Sequence, residues 1–238
     1  MNIERAGEPL LLRACKNGAF GKAYPYDGGC IYEAGFIYLA GTLRDEWLGA
    51  LTERWKNRAF ICLSEDWLDA LTARKSEFQS AVRYQMHDFV PNRERLRTYR
   101  IGVSPAYRID AFDEAAFFAH PFSQGAHYAS FAEFARVGTG AVARFENEIV
   151  ASASSYLSFR GHVEVDVSTQ EAHRRKGLGL ACAAMMLLDC VKRGITPHWD
   201  AQNPPSRGMA EKLGFQLQYE YVTFHATSHK SGASLEEH

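Results

Sequence analysis

The sequence predicts an α/β protein built on an α+β mixed sheet, and three observations predict it. Val163, Val165 and Val167 alternate with Glu164, Asp166 and Ser168, the period of a half-buried strand. Leu180–Val191 is apolar and helix-forming, so that strand feeds a helix through a short polar turn. Upstream, Ala141–Phe145 and Ile149–Ser155 read as two strands joined through Glu146-Asn147-Glu148, a hairpin signal.

Composition sets the class. The chain has 238 residues, 46% apolar and 23% charged, an ordinary globular balance with room for one large domain or two small ones. A net charge of −1 gives no global argument for nucleic acid or membrane. No apolar run reaches membrane-spanning length, and the first residues lack the basic-then-apolar order of a secretory signal. Cys15, Cys30, Cys62, Cys182 and Cys190 are odd in number and contain no C-x-x-C. The expectation is therefore no metal site, no disulfide framework and a cytoplasmic setting.

In chain order, Leu10–Cys15 reads as a short helix and Gly18–Gly29 as loop, with Pro25 and Gly28-Gly29 as breakers. Ile31–Ala40 alternates loosely and ends at Gly41, a partial strand. Trp47, Leu48, Leu51 and Trp55 recur at helical spacing, making Arg44–Lys56 an amphipathic helix. Ala59–Leu63 is a short apolar strand, and Ser64 is placed to cap a helix across Trp67–Ala73. Phe78–Val90 alternates in part. Pro91–Arg100 reads as an exposed basic loop; an anionic partner would suit it, though a solvated linker is the plainer reading. Residues 1–105 thus form an N-terminal α/β subdomain without a catalytic motif, bounded near Val103–Pro105. Its tryptophans read as core.

From Tyr107 the texture changes. Tyr107–Ile109 is a short strand, Asp113–Ala119 a helix, Pro121–Gly125 a loop and Ser130–Ala135 a second helix. The hairpin, the Val163 strand and the long helix follow, and Arg193-Gly194 closes that helix with a cation and a glycine suited to positive φ. Ile195–Asp200 is the next strand, Ser206–Leu213 a short helix ended by Gly214, and Phe215–His225 supplies the last strands. Residues 227–238 form a polar tail.

The turn ahead of the long helix carries the chemistry. Arg174, Arg175 and Lys176 stand beside Gly177 and Gly179. Such a turn aims backbone N–H groups and the positive helix end at one spot, which favours a phosphate or pyrophosphate. Glycine has no Cβ, so a ligand can approach closely. A strand–helix connection with a solvated basic face accounts for the same residues, and these residues alone leave both readings open. Neither G-x-x-x-x-G-K-[ST] nor G-x-G-x-x-G occurs, which disfavours a P-loop or dinucleotide fold.

Three features occur together: Arg174-x-x-Gly177-x-Gly179 between strand and long helix, Asn203 ahead of a short helix, and the ending Glu211-Lys212-Leu213-Gly214-Phe215. In this combination, over roughly 107–225, the chain resembles the GNAT superfamily of acyl-CoA N-acyltransferases. More narrowly, E-V-D-V-S-T with R-G-I-T-P-H-W-D-A-Q-N is similar to a bacterial subgroup that includes zwittermicin A resistance-type acetyltransferases. The resemblance implies a GNAT domain over 106–226, with 1–105 as the subgroup's additional portion. It also implies acetyl-CoA as co-substrate, a small-molecule primary amine as acceptor and direct attack of that amine on the thioester. Antibiotic resistance is among the roles it offers. The near-neutral charge argues against a nucleic-acid module using Arg93–Arg100 and Arg174–Lys176, and no membrane partner is expected; the oligomeric state stays open, a homodimer included.

Residue by residue, the resemblance assigns the coenzyme pyrophosphate to Arg174, Arg175, Lys176, Gly177, Leu178 and Gly179. It assigns the pantetheine to main-chain groups of Val167, Ser168 and Thr169. Asn203 matches a family asparagine near the pantetheine; an Asx turn before Pro204 explains it equally. Glu164 and Asp166 share one strand face and rank first as proton acceptors, with an exposed polar face as the plain alternative. His198, which alternates with Asp200 on the next strand, ranks after them; a hydrogen-bonded structural histidine is its alternative. His173 reads as a surface residue. Proton removal is expected through water. Many GNAT enzymes carry a tyrosine at the position of Ala210, where it protonates the leaving thiolate. Either another acid serves here or the thiolate leaves unassisted, reasonable for a thiol of pKa about 8.5. A non-catalytic acyl-CoA-binding or sensing protein is the alternative this departure leaves.

Overall fold

The computed structural model describes residues 7–119 and 127–227; the expected loop Pro121–Gly125 and the expected tail beyond Thr227 lie outside them. The described residues pack into two compact units, one of 7–8, 12–82 and 222–227, the other of 9–11, 83–119 and 127–221. The stretch 83–105 therefore packs with the second unit, whereas the sequence reading assigned it to an N-terminal subdomain.

In the first unit, α1 (Leu10–Lys16), of which 12–16 belong to this unit, precedes β1 (Lys22–Tyr26), β2 (Gly29–Ala34) and β3 (Phe36–Gly41). Then come α2 (Asp45–Glu53), β4 (Ala59–Cys62), α3 (Glu65–Ala73) and the start of β5 (Phe78–His87), with the end of β11 (Gln216–Ala226) returning to it. β1, β2 and β3 are antiparallel neighbours, β3 and β4 run parallel, and β11 lies antiparallel to β4. Ile37, Leu39, Leu51, Trp55, Phe60 and Trp67 form the core. Three expectations are corrected. The stretch read as loop contains β1, because an end strand of the sheet tolerates Pro25. Gly35 at φ 75° breaks the Ile31–Ala40 stretch into two strands. Ser64 occupies the N-cap position of α3 without capping it; its hydroxyl instead donates to the Gly41 carbonyl at 2.7 Å. Glu65 and Asp66 in the first turn complement the helix dipole in its place.

The second unit holds the rest of β5, α4 (Arg93–Ile101), β6 (Arg108–Ala111), α5 (Glu114–Phe118) and α6 (Phe131–Val137). It continues through β7 (Gly140–Phe145), β8 (Glu148–Phe159), β9 (His162–Thr169), α7 (Leu178–Arg193), β10 (Thr196–Ala201), α8 (Pro204–Leu213) and the start of β11. Its strands lie in the order β11-β5-β10-β9-β8-β7-β6. β6 through β9 are successive antiparallel neighbours, β9 and β10 are parallel, and β10 is antiparallel to β5. The mixed α/β architecture expected from the sequence is present.

The Pro91–Arg100 stretch is a correction: it folds as α4, not as a loop. Pro91 stops one residue before the cap, and the Asn92 side chain accepts the Arg95 N–H at 2.9 Å, an N-cap worth about 1 kcal/mol. Leu96 is fully buried while the arginines stay at the surface. The residues read as the last strands form one strand, β11.

α7 covers one face of the sheet. Val163 and Val165 of β9 and Ala151 and Ala153 of β8 pack with Leu178, Cys182, Ala183, Met186, Leu187 and Cys190. Each large apolar side chain so buried contributes about 1.5–3 kcal/mol. Burial pushes the Cys182 and Cys190 thiols up to about 12. Gly194, left-handed at φ 69°, ends α7 as expected.

Candidate active site

The site begins where two parallel strands stop pairing. β9 and β10 are in register at Thr196↔His162, Pro197↔Val163 and His198↔Glu164. Beyond that point β10 pairs on its other edge with β5, Trp199↔Met86, Asp200↔Gln85 and Ala201↔Tyr84. β9 keeps β8 on one side through Thr169. On its other side, among the described residues, no strand pairs with Val165–Thr169. Their main-chain groups on that edge face a slot between diverging strands, and an extended ligand can take the place of a strand there.

The slot leads to the basic turn. Glu171–His173 is one turn of 3-10 helix, Arg175 is left-handed at φ 60°, and Gly177, at φ 78°, is the N-cap residue of α7. Gly177 brings no side-chain cap to that helix, and the first N–H groups of a helix lack an intrahelical partner. Arg174, Arg175, Lys176 and Gly177 are exposed around them, and Leu178 is buried. The two glycines serve different ends. A Cβ at Gly177 would meet nothing within 4 Å, so its glycine answers the positive φ. A Cβ at Gly179 would lie 3.1 Å from Val167 Cγ1 and 3.2 Å from Thr169 Oγ1, so its glycine answers close packing of the helix start on β9. The Met209 methyl, 3.7 Å from that same point, brings α8 to this place.

The basic side chains divide their work. Lys176 Nζ donates to the Tyr107 hydroxyl at 3.0 Å and to the Ala172 carbonyl at 3.1 Å. Arg174 Nε donates to the Thr169 carbonyl at 3.3 Å. Arg175 has no side-chain partner among the described residues and is the loop's available cation. His173 is half-buried: its Nδ1 lies 3.1 Å from the Tyr107 hydroxyl, and its ring packs on Tyr107 and Phe145. It braces the loop, a correction to the surface residue the sequence suggested.

The face of β9 opposite α7 is polar. Asp166 stands opposite Ser154, and Ser168 opposite Ser152, with both β8 serines buried. Asp166 is in contact with solvent, yet the protein around it raises its carboxyl above the ordinary carboxylate range by desolvation, opposed by the Val167 N–H. Glu164, by contrast, is buried, and its Oε1 accepts the Asp200 N–H at 3.1 Å. His198 Nε2 lies 2.9 Å from His162 Nδ1, at the paired end of the strands. Asn203 caps α8, its Oδ1 accepting the Ser206 N–H at 2.9 Å. Among the described residues no group of three or more His, Cys, Asp or Glu side chains is placed to hold a metal, and no helix is long and apolar enough to cross a membrane.

The sequence model of GNAT acetyltransferases matches residues 6–224. The chain belongs to the GNAT acetyltransferase family. That match runs through both compact units. A crystal structure of a GCN5-related N-acetyltransferase-like protein from Streptococcus suis superposes with a TM-score of 0.83, at 24% identity, over 95% of this chain and 98% of that one. A GCN5-related N-acetyltransferase from Kribbella flavida gives 0.55 at 12% identity, over 93% and 97%. The uncharacterized N-acetyltransferase YdfB of Bacillus subtilis is 30% identical over 102 residues, 42% of this chain and 39% of that relative's length.

As a GNAT acetyltransferase, the protein is an enzyme of acetyl transfer, and its family uses acetyl-CoA. The open edge of β9 and the uncapped start of α7 fit that molecule: one offers strand-like pairing, the other amide hydrogens and cations. Ala210, where many GNAT enzymes have a tyrosine, is fully buried. Sequence reasoning passed over Arg83 and Tyr221. Arg83 Nε donates to Asp200 Oδ1 at 3.0 Å, and the Tyr221 hydroxyl bonds Asp200 Oδ2. The available signal was weak, a single arginine inside a strand pattern.

Proposed function

We propose that this GNAT acetyltransferase moves the acetyl group of acetyl-CoA to a primary amine of a small cationic molecule by direct attack. The observation that carries the reading is the end of the β9–β10 ladder at Glu164 and His198, beside a turn that presents amides and Arg175 to an anion. Main-chain groups of Val167, Ser168 and Thr169 pair with the pantetheine arm, and a β9 amide donates to the thioester oxygen, where charge develops. Residues Arg174–Gly179 hold the pyrophosphate. Asn203 Nδ2, with its Oδ1 committed to the cap, adds a donor near the arm.

Asp166 takes a proton from the acceptor's ammonium through a water, which frees the amine lone pair for attack. It is reached by solvent, it has no side-chain partner among the described residues, and its raised pKa suits a base better than an ordinary carboxylate. Its charge also attracts a cationic acceptor. His198 is engaged with His162 and ranks behind it. With Ala210 in place of a tyrosine, the thiolate leaves without a dedicated acid. The finer kinship with zwittermicin A resistance-type enzymes rests on the two peptide stretches noted above and points to amine-bearing antibiotics among the acceptors.

Isothermal titration with acetyl-CoA, followed by release of coenzyme thiol across a panel of amino sugars, polyamines, amino-acid derivatives and amine antibiotics, tests the proposal. Micromolar binding with amine-dependent thiol release is expected. No binding at millimolar acetyl-CoA, or binding with no turnover on any amine, would overturn it.

A further inference from the structure

The two carboxylates that share a face of β9 are in different situations. Asp166 meets water. Glu164 is 7% exposed and lies at the last register pair before the strands part. Its Oε1 accepts the N–H of Asp200, a main-chain donor that a continued parallel ladder would direct to the main chain of β9. The side chain thus stands in for a ladder bond at the point where the ladder stops. A buried N–H must have an acceptor, and the carboxylate supplies one without drawing β10 back to β9.

The far side of Asp200 is anchored. Arg83 Nε donates to Oδ1 at 3.0 Å and Nη2 lies 3.5 Å from the Asp200 carbonyl. Tyr221 donates to Oδ2. The Arg83 and Asp200 side chains are only 15% and 10% exposed. The backbone of Asp200 is in register with Gln85 of β5. β10 is therefore held toward β5 and β11 while Glu164 fills the gap on the β9 side.

We infer that Glu164 is a positioning residue. Its carboxylate is a wedge that, with Arg83, Asp200 and Tyr221 as its backing, keeps β9 and β10 apart and the pantetheine slot open. The inference rests on the proposed seating of the coenzyme along Val167–Thr169, and it assigns the two carboxylates separate tasks: Glu164 shapes the slot, Asp166 handles the proton.

The test compares variants that keep or remove the acceptor atom. Glu164→Gln retains an Oε1 able to accept the Asp200 N–H; Glu164→Leu does not. In the full chain, the Kd for acetyl-CoA stays within about threefold of wild type for Glu164→Gln and rises roughly tenfold for Glu164→Leu, the scale of one ladder hydrogen bond that the coenzyme would have to displace. For Glu164→Leu the KM for acetyl-CoA rises by a larger factor than kcat at saturating coenzyme falls. Tyr221→Phe, which removes one anchor without stranding a charge, weakens acetyl-CoA about threefold and stands in if Glu164→Leu fails to fold. A kcat loss in Glu164→Gln as large as that of Asp166→Asn would overturn the inference by making Glu164 the proton acceptor. Wild-type affinity in Glu164→Leu, or in Tyr221→Phe where that variant stands in, would overturn it too. If the wild-type protein itself binds no acetyl-CoA, the proposed function fails first; if it binds and the Glu164 variants bind alike, only the wedge fails.

Discussion

The two ends of β9 share one strand, one alternation and one acidic face, and differ in what lies on their open side. At the beginning, His162–Glu164 have β10 in register, and their polar side chains are consumed by neighbours: His162 by His198, Glu164 by the Asp200 amide. At the end, among the described residues, Val165–Thr169 have β8 on one side and no strand on the other, Asp166 meets solvent, and the chain passes into a helix that Gly177 leaves without a side-chain cap. The carboxylate proposed to handle the proton therefore differs from the one proposed to shape the slot in whether its strand is still paired, a property that alternation in the sequence does not carry.

The contrast can be broken most forcefully at Arg83. Arg83→Met leaves Asp200 buried without its cation, and the expected cost is about 3–5 kcal/mol, read as a lower denaturant midpoint at neutral pH. Burial already pushes the Asp200 carboxyl up, against the pull of Arg83 and Tyr221. Without Arg83 the folded-state pKa moves further above the unfolded value, so the protonated form favours folding and the deficit shrinks as pH falls. A deficit that stays constant into acid would show that the pair is not coupled as described.

Next in size is Asp166→Asn, for which we expect kcat/KM to fall about 100-fold. The wild-type rate declines as pH falls through the raised Asp166 pKa, and the variant lacks that acid limb. Stability moves the other way. A carboxyl whose folded pKa lies above its unfolded one disfavours the fold once ionised, so at pH 7 the asparagine variant melts no lower than wild type. Activity and melting temperature lost together would place Asp166 with Glu164 among the structural residues.

A smaller effect sharpens the comparison within the basic residues. Arg175→Gln is expected to weaken acetyl-CoA about two- to fivefold, more at low salt than at high. Arg97→Gln on α4, a helix whose start Asn92 caps, should leave coenzyme affinity as it is. Gly177→Ala reports on stability alone. The left-handed φ there costs an alanine about 1 kcal/mol, visible as a small drop in melting temperature, with no clash to displace the loop.

Much of this end of the molecule was legible in the sequence. The valine alternation gave β9, the apolar run gave α7, and Arg174-x-x-Gly177-x-Gly179 marked the turn between them, because each is a local pattern with a local cause. α4 was misread for a local reason as well: Pro91 and the arginines outweighed Asn92, though an asparagine ahead of a buried leucine is a cap signal. The wedge was not legible. Arg83 and Asp200 are 117 residues apart and Glu164 and Asp200 are 36, and nothing in the spacing of charged residues says which ones the sheet will bring together. Nor does a glycine declare whether it serves a positive φ, as Gly177 does, or a helix pressed against a strand, as Gly179 does.

The sulfhydryls inside α7 offer a way to watch this fold. Cys182 and Cys190 are fully buried and, at about 12, carry almost no thiolate at neutral pH, so an alkylating reagent meets them only when the helix lifts from the sheet. Their labelling rate is a clock for that opening. Because α7 starts at the turn assigned to the diphosphate, slower labelling in the presence of acetyl-CoA would measure, in the protein's own cysteines, how firmly the carrier clamps the helix down.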